Sequence, residues 1–219
     1  MKKELYFTTT SIQQKAEEIL ASIESFRRGH DAVCFHPVRA ALLILDMQAY
    51  FLRDTSHAFI PSATAIIPGI QALIRVFTAH QRPVIFTRHT NIPADAGQMA
   101  LWWKDLLEPD TPESGIIPEL DTTSGLVLDK HQYDAFYQTE LEQILHNHGV
   151  GEVVVTGVMT HLCCETTARS AFMRGFEPYF AVDGTATYTE AFHRAAILNL
   201  AHGFATPALT EEIILACIR

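Results

Sequence analysis

Long hydrophobic runs and glycine-rich phosphate loops are both missing from this sequence. No apolar stretch approaches the roughly 20 residues that a membrane-spanning helix needs. Neither GxGxxG nor GxxxxGKS/T occurs, which excludes the usual nucleotide-binding motifs. The N-terminal MKKELYFTTTS carries two lysines with no apolar segment behind them, so we expect no secretory signal. We therefore expect a cytoplasmic protein that does not bind membranes.

Cysteine is scarce and shows no framework spacing. The four cysteines are Cys34, Cys163, Cys164 and Cys217, and no CxxC pair occurs among them. This pattern lacks the signature of a disulfide framework and of a zinc site. Reduced thiols are consistent with the expected cytoplasmic location.

Positive charge is also in deficit, because 16 Lys and Arg residues face 25 Asp and Glu residues, for a net charge of −9. Such a surface argues against nucleic acid or anionic membranes as the main partner. Hydrophobic residues make up 48% of the 219 residues, enough for a globular chain with a sizeable core. With no internal repeat or linker, we predict one domain over 1–219, with an N-terminal helical arm at 1–37 and an α/β core at 38–219.

Short apolar runs alternate with amphipathic segments along the chain. Strands are predicted at 40–45, 83–87, 125–128, 153–158, 178–182 and 204–207. Helices are predicted at 10–28, 68–79, 133–148, between Thr160 and Gly175, at 189–201, and from Thr210 onwards. This alternation predicts an α/β protein with three layers, a six-stranded parallel sheet with helices on both faces, and right-handed crossovers.

The stretch GEVVVTGVMTHLCCETTARSAFMRG, at 151–175, contains a predicted strand followed by a predicted helix. We predict Thr160 as the N-cap of that helix and Gly175 as its end. Cys163 and Cys164 fall at the strand-to-helix crossing, where free N–H groups and the helix dipole favour a thiolate. The alternative is that these cysteines are small buried hydrophobes.

Three reactive side chains follow three predicted strands, namely Asp46, Lys130 and Cys163. The carboxyl ends of parallel strands converge on one crevice, so we expect these groups to meet there. Asp46 would act as general base, Lys130 would keep Asp46 ionised, and Cys163 would attack an electrophilic carbon. The alternative for Asp46 is that it caps the segment that follows it.

The long segment 90–123 contains four prolines and two adjacent tryptophans, as lids or binding walls often do. Its tryptophans fit a hydrophobic plug and a substrate wall equally well. The residues that we predict to bind substrate are Tyr50, Phe51, His89, Met99, Trp102, Trp103 and His161. Because aromatic walls suit planar ligands, we expect a flat or apolar small molecule.

Four motifs carry a resemblance to a known family: LDMQ at 45–48, TRH at 87–89, DKHQYDAF at 129–136 and TGVMTHLCCETTARSAF at 156–172. In this order and spacing, over roughly 38–210, they resemble the isochorismatase-like superfamily of hydrolases. The helix ahead of the first strand resembles the isochorismatases in particular.

The resemblance implies a six-stranded parallel sheet and an Asp-Lys-Cys triad formed by Asp46, Lys130 and Cys163. It assigns the nucleophile to Cys163 rather than Cys164, because the family's nucleophile lies six residues after the glycine matched by Gly157. It implies a cis peptide bond from Val158 to Met159. It also implies an oxyanion hole from the backbone N–H groups of Met159 and Cys163, and a homo-oligomer, either a dimer or a tetramer.

The sequence departs from the isochorismatases at three positions. Cys163 stands where they carry glycine, His89 where they carry glutamine, and Met99 where they carry arginine. The Asp-x-His metal pattern of the nicotinamidase branch is not matched by Asp54 and His57, so we expect no metal and no cofactor.

Three functions follow from these patterns. The first is a cysteine hydrolase that cleaves a C–N bond in a small amide, imide or carbamoyl compound through a thioester. The second is an isochorismatase that uses Asp46 as acid to cleave a vinyl ether and release pyruvate. The third is a non-catalytic interaction module.

Overall fold

The computed structural model describes residues 2–27, 35–103 and 105–218, so the predicted end of the first helix at Arg28 and the cysteine at position 34 (Cys34) lie outside it. Six parallel strands form one sheet: β1 (Ala40–Leu45), β2 (Val84–His89), β3 (Leu126–Lys130), β4 (Glu152–Val158), β5 (Glu177–Ala186) and β6 (Thr206–Ala208). Their order in the sheet is β3-β2-β1-β4-β5-β6. The predicted six-stranded parallel sheet is confirmed.

The two central strands are the most hydrophobic. Every residue of β1 and β4 is buried, as expected for strands covered by helices on both faces. The edge strand β3 is different, because Leu126 and Val127 are about half exposed.

Nine helices surround the sheet in the described part of the chain: α1 (Ile12–Ser22), α2 (Glu24–Arg27), α3 (Ala49–Leu52), α4 (Ile67–Ala79), α5 (Met99–Trp102), α6 (Leu141–Asn147), α7 (Glu165–Met173), α8 (Glu190–Gly203) and α9 (Thr210–Cys217). Helix α4 packs against α9, and α7 packs against α8. Strand order runs in opposite directions on either side of β1, so right-handed crossovers put these two pairs on opposite faces.

The helix predicted at 133–148 is wrong in its first half, because α6 begins only at Leu141. Side chains compete with helical hydrogen bonds in the preceding segment. Asp134 accepts a hydrogen bond from the backbone N–H of Phe136 at 2.8 Å, and the Thr167 hydroxyl accepts one from Ala135 at 3.0 Å. These contacts hold the segment as a loop.

Strands β1 and β4 flank the point where the strand order reverses, which is where open parallel sheets bind ligands. Gly157, opposite Leu45 in the register, allows the backbones of β1 and β4 to approach closely here. Its φ is +100°, and a Cβ there would lie 2.1 Å from the Leu45 carbonyl oxygen. Only glycine fits this position.

The N-terminal arm packs on the core. Helix α1 contacts β5 and α2 contacts α8. Its buried residues, among them Tyr6, Phe7 and Ile19, belong to the same apolar cluster as the strands. Among the helices described, none has the length and apolar character needed to cross a bilayer.

Candidate active site

Asp46, Lys130 and Cys163 lie together at the carboxyl ends of the strands. The Lys130 Nζ atom is 2.9 Å from Asp46 Oδ2 and 3.5 Å from Cys163 Sγ. It also donates a hydrogen bond to the Gln132 carbonyl at 2.9 Å. One ammonium group therefore contacts both the carboxylate and the sulfur.

Backbone geometry and a neighbouring strand orient the Asp46 carboxylate. Asp46 directly follows β1 and has φ of +52°, so the chain turns sharply at this residue. The Thr87 hydroxyl, on β2, donates a hydrogen bond to Asp46 Oδ1 at 2.7 Å. Oδ1 is thus held by Thr87 while Oδ2 faces Lys130.

Asp46 and Lys130 are both fully buried, and both are charged. Burial is the largest single cause and works to raise the pKa of Asp46, but the Lys130 ammonium, helped by His89 and by hydrogen bonds from Cys163 and Thr87, outweighs it, and the pKa is lowered. Burial likewise works to lower the pKa of Lys130, but Asp46 and Cys163 outweigh it and the pKa is raised. Each charge keeps the other ionised.

The surroundings of Cys163 favour its thiol form, against the expectation of a favoured thiolate. Burial is the main cause that raises its pKa to about 12; Asp46 adds to this effect and Lys130 only partly opposes it. The expected N-cap at Thr160 is also wrong. Thr160–Cys164 form a π-helical turn ahead of α7, and the Thr160 hydroxyl contacts His193 Nδ1 at 3.0 Å.

The peptide bond between Val158 and Met159 is cis, as the resemblance implies. Met159 immediately precedes the π-helical turn, so the proposed oxyanion donors, the N–H groups of Met159 and Cys163, flank its first residues. Their assignment as an oxyanion hole stays a prediction.

Cys163, only 7% exposed, lines an open cavity that holds about 610 Å³ of empty space, including its solvent-open mouth. Five aromatic side chains line it: Tyr50, Phe51, Trp103, Tyr133 and Tyr188. His89 and Met99, both expected here, also line it, so the structure brings most of the predicted pocket residues together.

Trp102 does not line the cavity, which corrects its predicted role. Helix α5 is a single turn that ends at Trp102. Trp103, the C-cap residue, has an extended backbone and lines the cavity together with Met99. Trp102 points outward and is 79% exposed.

His161 is also absent from the cavity lining, contrary to the prediction. Its Nδ1 atom is 2.6 Å from the Thr187 hydroxyl, and its ring stacks on Phe192 with centroids 4.4 Å apart. The π-helical turn directs this side chain toward α8 instead of toward the nucleophile.

Among the cavity residues that were not identified as such from the sequence are His57, Asp105, Tyr133 and Tyr188. His57 Nδ1 lies 3.1 Å from Asp105 Oδ2, and its Nε2 lies 3.1 Å from the Tyr50 hydroxyl. Tyr133 had a signal, since it lies in the DKHQYDAF motif three residues after Lys130. Its hydroxyl accepts a hydrogen bond from Trp103 Nε1 at 2.7 Å.

His89 places a neutral imidazole beside the triad. Burial and the nearby Lys130 ammonium lower its pKa to about 4, despite the opposing effect of Asp46. Its backbone is fixed by Gln48, whose side chain bonds the His89 N–H and carbonyl, both at 2.9 Å.

A metal site would need several ligands close together. Within the described ranges, no group of three His, Cys, Asp or Glu side chains is arranged to hold a metal ion. His57, which with Asp54 was compared with the Asp-x-His metal pattern, is paired with Asp105.

Fold and site together define a parallel-sheet α/β protein with a buried carboxylate, ammonium and thiol at the switch point. Comparison with known proteins gives the family. The isochorismatase domain matches residues 40–212. Nicotinamidase 3 from Arabidopsis thaliana is 41% identical over 171 residues, covering 76% of this chain and 82% of that protein.

Enterobactin synthase component B from Escherichia coli (strain K12) is 33% identical over 190 residues, or 84% of this chain, and the chain spans 65% of that protein's length. A cysteine hydrolase from Pseudomonas syringae pv. phaseolicola 1448A has a similar structure, with a TM-score of 0.80 and 26% identity over 84% of this chain and 94% of that one. The chain belongs to the isochorismatase family and is a hydrolase.

Proposed function

We propose that this protein is a cysteine amidohydrolase that cleaves the C–N bond of a small planar amide through a thioester on Cys163. The observation that carries the proposal is the single Lys130 ammonium, 2.9 Å from the Asp46 carboxylate and 3.5 Å from the Cys163 sulfur, beside an aromatic cavity. That arrangement supplies a base, a nucleophile and a balancing charge.

The charge states suit a reaction in which sulfur attack and proton transfer occur together. Because the pKa of Cys163 is about 12, its proton passes to Asp46 as the sulfur attacks the amide carbon. The N–H groups of Met159 and Cys163 would stabilise the oxyanion. Protonated Asp46 then gives its proton to the departing amine, which leaves the acyl group on sulfur.

Water completes the reaction. Asp46, again a carboxylate, takes a proton from the water that attacks the thioester, and the thiol is restored. The balance is one amide and one water converted to one carboxylic acid and one amine, or ammonia from a primary amide. Lys130 keeps Asp46 ionised between turnovers.

Nicotinamide is the first substrate to test, because the 41% identical Arabidopsis relative is named a nicotinamidase. Its flat ring also suits the aromatic lining. We expect ammonia release by the native chain and by Cys164→Ala, and none by Cys163→Ala. Intact-mass measurement should find an acyl adduct at Cys163 under substrate. Full activity of Cys163→Ala on every amide tested would overturn the proposal.

Isochorismate cleavage is the second candidate, favoured by the family assignment itself. Isochorismate carries two carboxylates, and no lysine or arginine among the described residues lines the cavity. We therefore expect no pyruvate release. Pyruvate produced from isochorismate by Cys163→Ala would establish this function instead.

Assembly and location stay predictions. We expect a homo-oligomer, dimer or tetramer, measurable by light scattering after size-exclusion chromatography. The cytoplasmic location is to be tested by fractionation of the source cells.

A further inference from the structure

The segment Lys3–Phe7 crosses two loops that wall the cavity, and it lies outside the residues 40–212 matched by the family. We call it the N-terminal strap. Its Glu4 N–H donates to the Tyr188 carbonyl at 2.8 Å. The N–H groups of Tyr6 and Phe7 both donate to the Ser62 hydroxyl, at 2.9 and 3.0 Å. The strap therefore joins the loop after β5 to the loop that carries His57.

Lys3 contacts two cavity residues directly. Its ammonium donates a hydrogen bond to the His57 carbonyl and lies over the Tyr188 ring, 4.6 Å from the centroid. His57 and Tyr188 both line the cavity. Lys3 thus connects two parts of the wall from behind without lining the cavity itself.

Tyr6 connects the strap to the nucleophile turn. It is buried, and its hydroxyl accepts a hydrogen bond from the Thr187 N–H at 2.9 Å. The Thr187 hydroxyl in turn lies 2.6 Å from Nδ1 of His161, which belongs to the nucleophile turn. Thr160 is the first residue of the π-helical turn that carries Cys163. His193 packs against the Tyr6 ring and contacts the Thr160 hydroxyl at 3.0 Å, which gives the strap a second route to this turn.

We propose that the N-terminal strap is a positioning element of the active site, in which Tyr6 holds the turn that carries Cys163 and Lys3 holds the wall formed by His57 and Tyr188. The kinetic readout of this proposal rests on the proposed amidohydrolase function. The two contacts have different consequences, because one acts on the reacting sulfur and the other on the substrate wall.

The Lys3 contact is tested by Lys3→Met, which keeps the length of the side chain and removes its charge and hydrogen bond. We expect KM to rise about fivefold with kcat within about twofold, as loss of one cation–aromatic contact and one hydrogen bond would give. Lys2→Met is the matched control, since Lys2 is an exposed neighbour, and it should leave both constants unchanged.

The Tyr6 contact is tested by Tyr6→Phe, which keeps the ring and removes only the hydroxyl. We expect kcat to fall about tenfold with KM little changed, because small displacements of a nucleophile slow the chemical step. Tyr137→Phe, at a half-exposed tyrosine outside the cavity, is the control and should retain full kcat.

A substrate-independent measurement keeps this test separate from that of the proposed function. In a Cys164→Ala background, alkylation of Cys163 by iodoacetamide and by N-phenylmaleimide is followed by peptide mass spectrometry. We expect Lys3→Met to accelerate the bulkier reagent about fivefold more than the smaller one, because the wall loosens. If Lys3→Met and Tyr6→Phe match their controls in kcat, KM and alkylation while melting at lower temperature, the strap is merely structural and the proposal fails.

Discussion

At the scale of single residues, the buried pair of Asp46 and Lys130 controls both stability and chemistry. Both charges are fully buried, so the loss of either one is destabilising, because the remaining charge stays buried without compensation. We expect Lys130→Met to abolish amide hydrolysis and to lower the free energy of unfolding by about 3–5 kcal/mol. Urea denaturation and an ammonia assay measure the two effects.

The double variant Asp46→Asn with Lys130→Met separates these effects. Removing both charges should restore most of the lost stability and none of the activity, since the desolvation cost disappears together with the base. A double variant as unstable as Lys130→Met alone would contradict the assignment of that cost to the unpaired Asp46 charge.

Thr87 contributes to the lowered pKa of Asp46 through one hydrogen bond. The pKa of Asp46 is lowered, so activity is retained above that pKa and lost as the pH falls through it. Thr87→Val removes the donor to Oδ1, and we expect the acidic limb of kcat/KM to move up by about one pH unit. A pH–rate profile checks this shift.

Thr156→Val is the matched control for Thr87→Val. Thr156 is a buried threonine on β4 whose hydroxyl donates to the neutral carbonyl of Leu43 at 2.9 Å. Its replacement should lower stability without moving the acidic limb. Equal shifts in both variants would mean that the acidic limb of the pH–rate profile does not report the protonation of Asp46.

At the scale of elements, the single-turn helix α5 decides which tryptophan meets the substrate. Trp103 lines the cavity and bonds Tyr133, whereas Trp102 is exposed. We expect Trp103→Ala to raise KM for an aromatic amide about tenfold, because it removes a large apolar wall. Trp102→Ala should leave KM unchanged. Steady-state kinetics on both variants decides, and a larger effect from Trp102→Ala would contradict the orientation.

Apolar patterning was sufficient to predict the strands but not the irregular segments between them. Strand β1 has the predicted bounds, because an apolar run of six residues has the length typical of a strand buried on both faces. The orientation of α5 could not be predicted from the sequence, since one turn is too short to show a helical period of apolar residues. The extension of β5 to Ala186, which carries Tyr188 to the cavity, crosses polar residues that interrupt the apolar run.

The triad could be predicted because its residues follow strands at positions fixed by the sheet. Their charge states could not. The pKa of Cys163 depends on burial and on two side chains more than 30 residues away in the sequence. The local π-helical turn, which directs His161 away from the cavity, likewise has no signal in residue spacing.

For the molecule as a whole, buried histidines make stability depend on pH. Burial is the main cause that lowers the pKa of His193 to about 3, well below the ordinary value near 6.5. Between these values the unfolded chain binds a proton that the folded chain does not, so stability is fully present above about pH 6.5 and falls as the pH decreases. From pH 6.5 to 5 the loss is about 2 kcal/mol for this residue.

Thermal melting between pH 7 and 5 measures this dependence. We expect the melting temperature of His193→Gln to change less with pH than that of the native chain, since Gln does not titrate. His80→Gln, at an exposed histidine, should behave like the native chain. Identical pH profiles for all three proteins would show that His193 does not carry the effect.

The protonated state of the Cys163 sulfur also determines how sensitive the protein is to oxidants. Peroxide and disulfides react with sulfur anions, and a group whose pKa is about 12 offers almost none at neutral pH. In the absence of substrate, the protein should therefore keep its activity through prolonged exposure to oxidants without any added reductant.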